Sequence, residues 1–188
     1  MKLTVLNLGD AEYPARLHER LGDRVPKTLT LLGNPSLLAQ PQTALFCSIT
    51  SPPDTIQRGR ESAGALLRQG RTVISGFHSP VEKECLKILL TGKQPIIIAP
   101  LRALSEATRV PKEWRTALES GQLVLVSPFE KSHRPDEDTA RRRNEVVAAL
   151  ADEIFILYAE PGGNVERISQ LAQRWGIPAY NSPESMLR

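Results

Sequence analysis

The chain lacks the groupings of cysteine and histidine that build metal sites or disulfide frameworks. Its 188 residues hold only Cys47 and Cys85, each in apolar sequence and with no Cys-x-x-Cys spacing. Two isolated cysteines of this kind read as buried, reduced thiols of a cytosolic protein. The three histidines, His18, His78 and His133, are far apart and form no ligand pattern, so no metal is expected. No segment approaches an apolar membrane span, and the start Met1-Lys2-Leu3-Thr4-Val5 lacks the apolar core of a signal peptide. A cytoplasmic protein without membrane contact is the expectation. Internal repeats and low-complexity segments are missing as well. So is Gly-x-Gly-x-x-Gly, which argues against a standard dinucleotide site.

Charge of either sign is not in large excess, with 24 basic and 21 acidic residues. A net charge of +3 permits nucleic-acid binding without arguing for it. Any electrostatic case must rest on where the charges sit. The length suits one sizeable domain with a single core, and the 15 prolines are scattered through loops.

What the chain does have is alternation. Residues 1–40 read as an N-terminal extension packed on the core, with a short helix (Pro14 to Leu21) and a strand over Thr28 to Leu32. Gly33-Asn34-Pro35 closes that strand as a turn. From there, apolar runs at Ala44 to Ile49, Arg71 to Ile74, Pro95 to Ala99, Leu123 to Val126, Ile154 to Tyr158 and Ile177 to Tyr180 read as strands. Helical spacing is found over Asp54 to Arg68, from Pro80, from the arginine run at 141–143, and over Val165 to Trp175. Strands written as continuous apolar runs belong to a parallel sheet covered on both faces. Residues 41–188 are therefore expected to form one α/β domain, Rossmann-like and doubly wound, with a mostly parallel sheet and helices on both faces.

In such a sheet, ligands bind beyond the carboxyl ends of the strands, near the point where strand order reverses. Four segments stand there. Ser48, Thr50 and Ser51 follow the first core strand, and their hydroxyls could donate to phosphate oxygens or simply cap a helix. Ser75-Gly76 follows the next strand, where Gly76 lets a phosphate approach the backbone and the coming helix N-terminus can hold an anion. His78 lies in the same turn as a proton carrier without a visible partner. Arg141-Arg142-Arg143-Asn144 reads as the opening of an apolar helix, which puts three guanidiniums and a carboxamide at its N-terminus. Neighbours on a helix point in different directions, so Arg143 is the one chosen to reach a ligand, with Asn144 beside it. Arg134 and Lys131 would extend a basic rim. Last, Gly162 and Gly163, followed by Asn164, form either a phosphate nest or a tight turn with Asn164 as its cap.

These residues, in this order, resemble the DprA/Smf family of DNA-processing proteins. The resemblance starts at Tyr13-Pro14-Ala15-Arg16-Leu17 and Leu32-Gly33-Asn34 and passes through Ser75-Gly76. It is closest at Arg143-Asn144-Glu145-Val146-Val147-Ala148-Ala149-Leu150, which is similar to the family's Arg-Asn-x-x-Ile/Val-x-x-Leu signature. It implies a Rossmann-like domain that holds single-stranded DNA by its phosphates, with no bond made or broken, no catalytic residue and no cofactor. It also implies a role in natural transformation and recombination, a RecA-type recombinase as a further partner, and pairing with a second copy as a homodimer.

This sequence departs from the family pattern in two places. The family's Gly-Ser-Arg reads Cys47-Ser48-Ile49, and its Ser-Gly-x-Ala-Arg-Gly-Ile-Asp reads Ser75-Gly76-Phe77-His78-Ser79-Pro80-Val81-Glu82. Two arginines are lost. The turn Pro161-Gly162-Gly163-Asn164-Val165-Glu166 is similar to the Pro-Gly-Gly opening of the related lysine-decarboxylase-like (LOG-type) phosphoribohydrolases, which cleave nucleoside monophosphates. Hydrolysis of that kind, with Glu82 or Glu166 as acid, stays open as an alternative, as does sensing of a nucleotide-derived ligand.

Overall fold

A computed structural model describes residues 2–131, 134, 136–182 and 185. Among these residues, eight strands form one sheet in the order β1-β2-β6-β5-β4-β3-β7-β8. The six parallel strands are β3 (Gln42–Cys47), β4 (Thr72–Ser75), β5 (Ile96–Ile98), β6 (Leu123–Ser127), β7 (Glu153–Tyr158) and, at one edge, β8 (Ala179–Tyr180). Every residue of β3 through β6 is buried, as continuous apolar strands covered on both faces must be.

Helices lie on both faces. On one face pack α1 (Ala15–Leu21), α5 (Glu137–Leu150) and α6 (Asn164–Trp175), through Leu17, Val147 and Ile168. On the other pack α2 (Thr55–Arg68), α3 (Pro80–Leu89) and α4 (Lys112–Glu119), through Leu66, Cys85 and Leu118. The doubly wound, Rossmann-like α/β fold expected from the alternation is the one observed. From β3 the chain steps through β4, β5 and β6 to one side, then returns through α5 to place β7 on the other side of β3. The switch point is therefore the crevice between the ends of β3 and β7.

The N-terminal residues join the same sheet. β2 (Thr28–Gly33) pairs antiparallel with β6, and β1 (Leu3–Asn7), unmarked in the sequence reading, pairs antiparallel with β2. Polar side chains fasten the segment down. Tyr13 donates its hydroxyl to the Pro26 carbonyl at 2.6 Å. Arg16 Nη1 donates to Leu150 O at 2.8 Å, and Arg20 Nη1 to Ala149 O and Ala151 O at 2.9 and 2.6 Å. Those carbonyls are the open C-terminal end of α5, where cations are favoured.

One helix start differs from the expectation. Asp136 caps α5, accepting Thr139 N at 2.8 Å while Thr139 Oγ1 receives Asp136 N at 2.9 Å. Glu137 and Asp138 occupy the first turn. This reciprocal cap with acids at the positive end is what a helix terminus favours. Arg141 to Arg143 consequently lie in the second turn, and the terminus they were expected to furnish for an anion carries carboxylates instead. Helix α4, amphipathic with Ala117 and Leu118 inward, also occupies what read as a plain connection.

Candidate nucleic-acid interface

At the switch point, the loops after β3 and β7 are laced together. Ser48 N donates to Tyr158 O at 3.0 Å, and Ser48 Oγ accepts Glu160 N at 2.9 Å. Thr50 is exposed and Ser51 half-buried, while Ile49 is 65% exposed at the tip of the loop. The side chain of Asp54, at the start of α2, makes no capping bond. Across the crevice the chain turns at Gly162, whose φ of +73° favours glycine. Gly163, not Asn164, is the N-cap of α6, and Gly162 N donates to Glu166 Oε2 at 2.8 Å. Asn164 is the first residue of the helix and half-buried. The structure thus brings Ser48 against the 160–163 turn, whose donor at Gly162 is already taken by a carboxylate of the chain itself.

The end of β4 is more crowded. Ser75 is fully buried, and its Oγ accepts the N–H of Phe77 at 3.1 Å. Phe77 sits at φ +46°, a strained position for a side-chain-bearing residue. Glu82 then fills the α3 N-terminus. Its Oε2 accepts His78 N at 2.7 Å and Ser79 N at 3.2 Å, and its Oε1 accepts Cys47 N, from the end of β3, at 2.9 Å. Ser79 Oγ completes the cap by accepting Glu82 N at 3.2 Å. The cradle that a phosphate would use is therefore occupied by Glu82.

Arg143 arrives from α5 on the opposite side. Only 4% exposed, it donates Nη1 to Ala99 O, just beyond β5, at 3.0 Å and packs against Gly76. Burial pushes the Glu82 carboxyl above its usual range, against the pull of Arg143 and three main-chain N–H groups. Burial likewise works against the charge of Arg143, and Glu82 works for it. His78 is lowered by desolvation, then by Arg143 and Lys83. Asn144 is half-buried beside this cluster in sequence, and Arg134 is exposed in the connection ahead of α5.

Beside this cluster, on the α3–α4 face, lies a groove of about 960 Å³. Phe77, Leu86, Leu90, Ile98, Leu125 and Trp114 give it an apolar lining, and Lys83, Lys87, Arg102 and Arg109 surround it with Arg143 and one acid, Glu113. The connection carrying the last two rim arginines is folded on itself: Arg102 Nη2 donates to Arg109 O at 3.0 Å, and Arg102 O accepts Ser127 Oγ at 2.7 Å. Of the residues singled out in sequence, Gly76, His78 and Arg143 line this groove. The rim was missed because its cations are spread from residue 83 to residue 109 with no run among them; the one local signal was Lys83 and Lys87 at i and i+4 on α3. Arg141 and Arg142 instead line a second groove on the opposite face, about 910 Å³, where Arg24, Lys27 and Lys131 are mixed with Asp23, Glu130, Asp138 and Glu145. Among the described residues no cluster of His, Cys, Asp and Glu could hold a metal, and no helix is long and apolar enough to cross a membrane.

A doubly wound α/β domain with a cation-rimmed, apolar-floored groove at the carboxyl edge of its sheet is the class of protein defined here. Residues 4–184 match the sequence model for DNA recombination-mediator protein A, and the chain belongs to that family of DNA-processing proteins. Its fold is shared with DNA processing protein A from Helicobacter pylori, which has a unique single-stranded DNA binding mode. That match has a TM-score of 0.71 and 20% identity, covering 99% of this chain and 86% of that one. DNA processing protein A from Streptococcus pneumoniae matches with a TM-score of 0.75 and 16% identity, over 99% of this chain and 74% of its own. The molybdenum cofactor binding protein from Rippkaea orientalis shares the fold more distantly, with a TM-score of 0.54 and 8% identity over 79% of this chain and 82% of its own. No curated protein matches the sequence.

Proposed function

We propose that this chain binds single-stranded DNA along the carboxyl edge of its sheet and makes or breaks no bond in doing so. The observation that carries the reading is the groove between α3 and α4, in which four exposed cations surround an apolar floor that includes Phe77 and Trp114. Cations that track phosphates, combined with aromatic faces for unstacked bases, are the means by which single strands are held without regard to sequence. A duplex keeps its bases stacked inside and offers nothing to such a floor. The Helicobacter pylori relative binds single-stranded DNA, which agrees with this reading.

The non-catalytic part is supported by the two carboxylates that could act as acids. Glu82 accepts three main-chain N–H groups and Glu166 accepts Gly162 N, so both are engaged in holding loops. Association with a RecA-type recombinase, pairing with a second copy and a cytoplasmic setting are what family membership adds to the proposal. A nucleotide-derived ligand is the second reading, favoured by a groove volume within the range of small-molecule sites.

The deciding experiment is a titration of labelled oligo(dT) at several salt concentrations. Affinity should fall steeply with salt, and Lys87→Ala or Arg102→Ala should each reduce the slope of log K against log salt by about one. Absence of binding at low salt, with a nucleoside monophosphate bound instead, would replace the strand by the nucleotide.

A further inference from the structure

The loops after β4 and β5 line the groove, the end of β3 lies beside them, and two buried charges, Glu82 and Arg143, are bonded or packed between them to all three. Glu82 receives Cys47 N at the end of β3 and His78 N and Ser79 N in the loop after β4. Arg143 packs against Gly76 in that same loop and donates to Ala99 O at the end of β5. Glu82 is 5% exposed and Arg143 4%, and each is the principal charge acting on the other. Between them runs the strained residue Phe77, whose side chain lines the groove. A backbone at φ +46° persists only where its surroundings over-determine it. Ser75 Oγ holds one side of Phe77 through its N–H, and Glu82 holds the next two residues through theirs.

The geometry points to Glu82 and Arg143 as a positioning pair: together they set the ends of β3, β4 and β5 relative to one another, and Arg143 acts on the bound strand through those loops without touching a phosphate. This deepens the single-strand reading and rests on it for its functional consequence. Its structural content stands alone. A guanidinium that donates to a carbonyl and fills the space beside Gly76 has its planar face and one nitrogen committed to the protein. Lys83, Lys87, Arg102 and Arg109 are exposed at the rim, Lys87 beside Glu84 and Arg102 with one nitrogen on Arg109 O, and face solvent where phosphates would come.

Amide hydrogen exchange on Arg143→Met and Glu82→Gln tests this in the full chain, at a temperature where both variants remain folded. Either variant should speed exchange by about tenfold or more at residues 47–49, 77–79 and 99–102 together, while α6 and β7 keep their protection. Acceleration confined to the loop nearest the substituted residue would overturn the pairing. In parallel, oligo(dT) affinity should drop at least about tenfold in Arg143→Met with the salt slope unchanged, because no phosphate contact is lost. A slope lowered by about one would overturn the positioning role by making Arg143 a phosphate contact. Arg143→Lys, which keeps the charge but not the fork, should recover less than half of the lost affinity. If the wild type binds no oligonucleotide, the single-strand reading fails, and the exchange pattern still decides the pair.

Discussion

The Arg143 guanidinium fills the space that a side chain at Gly76 would need: its Nη1 lies 1.1 Å, and its Cζ 2.0 Å, from where a Cβ on residue 76 would stand. The glycine is thus set by a partner from the opposite face of the sheet. A methyl group there must expel a buried cation from its bond to Ala99 O. Gly76→Ala should therefore cost about 2 to 3 kcal/mol in urea unfolding. A change within about 0.5 kcal/mol would mean that Arg143 finds another place at no cost.

Trp114 and Arg109 line the same groove and should fail differently. Trp114→Ala removes a stacking surface worth about 1 to 3 kcal/mol per base, so affinity for oligo(dT) falls with the salt slope intact. Arg109→Ala should lower the slope by about one, with a smaller loss at high salt. Identical behaviour of the two variants would break the division between floor and rim.

Alkaline pH should loosen the N-terminal segment through Tyr13. Burial raises this phenol from 10.0 to about 12, while its hydroxyl donates to Pro26 O. The folded state holds the proton more tightly than the unfolded one, so the stabilisation is complete below pH 10.0 and is lost as pH rises through about 12. Cys47 and Cys85, raised from 9.0 to about 11 and 12, act in the same sense. Tyr13→Phe should be about 1 kcal/mol less stable at neutral pH and show a shallower decline above pH 10 in denaturant titrations.

Acid acts through His78 with the opposite sign. Desolvation, then Arg143 and Lys83, lower its pKa from 6.5, so the unfolded chain binds more protons below that pH. Stability contributed by neutral His78 is present above pH 6.5 and is lost as pH falls through the lower folded value. His78→Asn should flatten this part of the pH–stability curve. Oligo(dT), by bringing phosphates to the same cations, should pull the His78 titration back upward when followed by NMR. A titration unmoved by the strand would place the phosphates elsewhere.

Arg20 secures two carbonyls at the end of α5, and Ala in its place would leave both without that donor. Arg20→Ala should cost about 1.5 to 3 kcal/mol, the range for hydrogen bonds to a charged group. The loss should appear as a lower midpoint at unchanged denaturant dependence.

How much of this was legible in the chain differs between fold and site. The parallel strands are visible because each is an unbroken apolar run, and α2, α3 and α6 because of their periodicity, with Pro80 marking the start of α3. The sequence points to a later start for α5, since its apolar stretch begins at Val146 while the helix is opened ten residues earlier by the reciprocal cap between Asp136 and Thr139. Capping is a short-range polar signal of one or two side chains, far weaker in a sequence than a run of three arginines. Ser75 and Gly76 were seen as a place where backbone approaches a ligand, and the approaching group is Arg143.

By itself the sequence determined the doubly wound sheet, because burial on two faces is written directly as apolar strands and amphipathic helices. It also determined, through residues 13–17, 32–34 and 143–150, the family to which the chain belongs. Tertiary structure alone decided which cations face a ligand. Arg141 and Arg142 turn to a groove of mixed charge, Arg143 goes inward to Ala99 O and Gly76, and the basic rim is assembled from α3 and the loop after β5. The physical reason is that a charge's surroundings, not its neighbours in the chain, fix whether it is buried, paired or free. Only the crossing of α5 behind the sheet brings Arg143 within reach of a carboxylate 61 residues away in sequence.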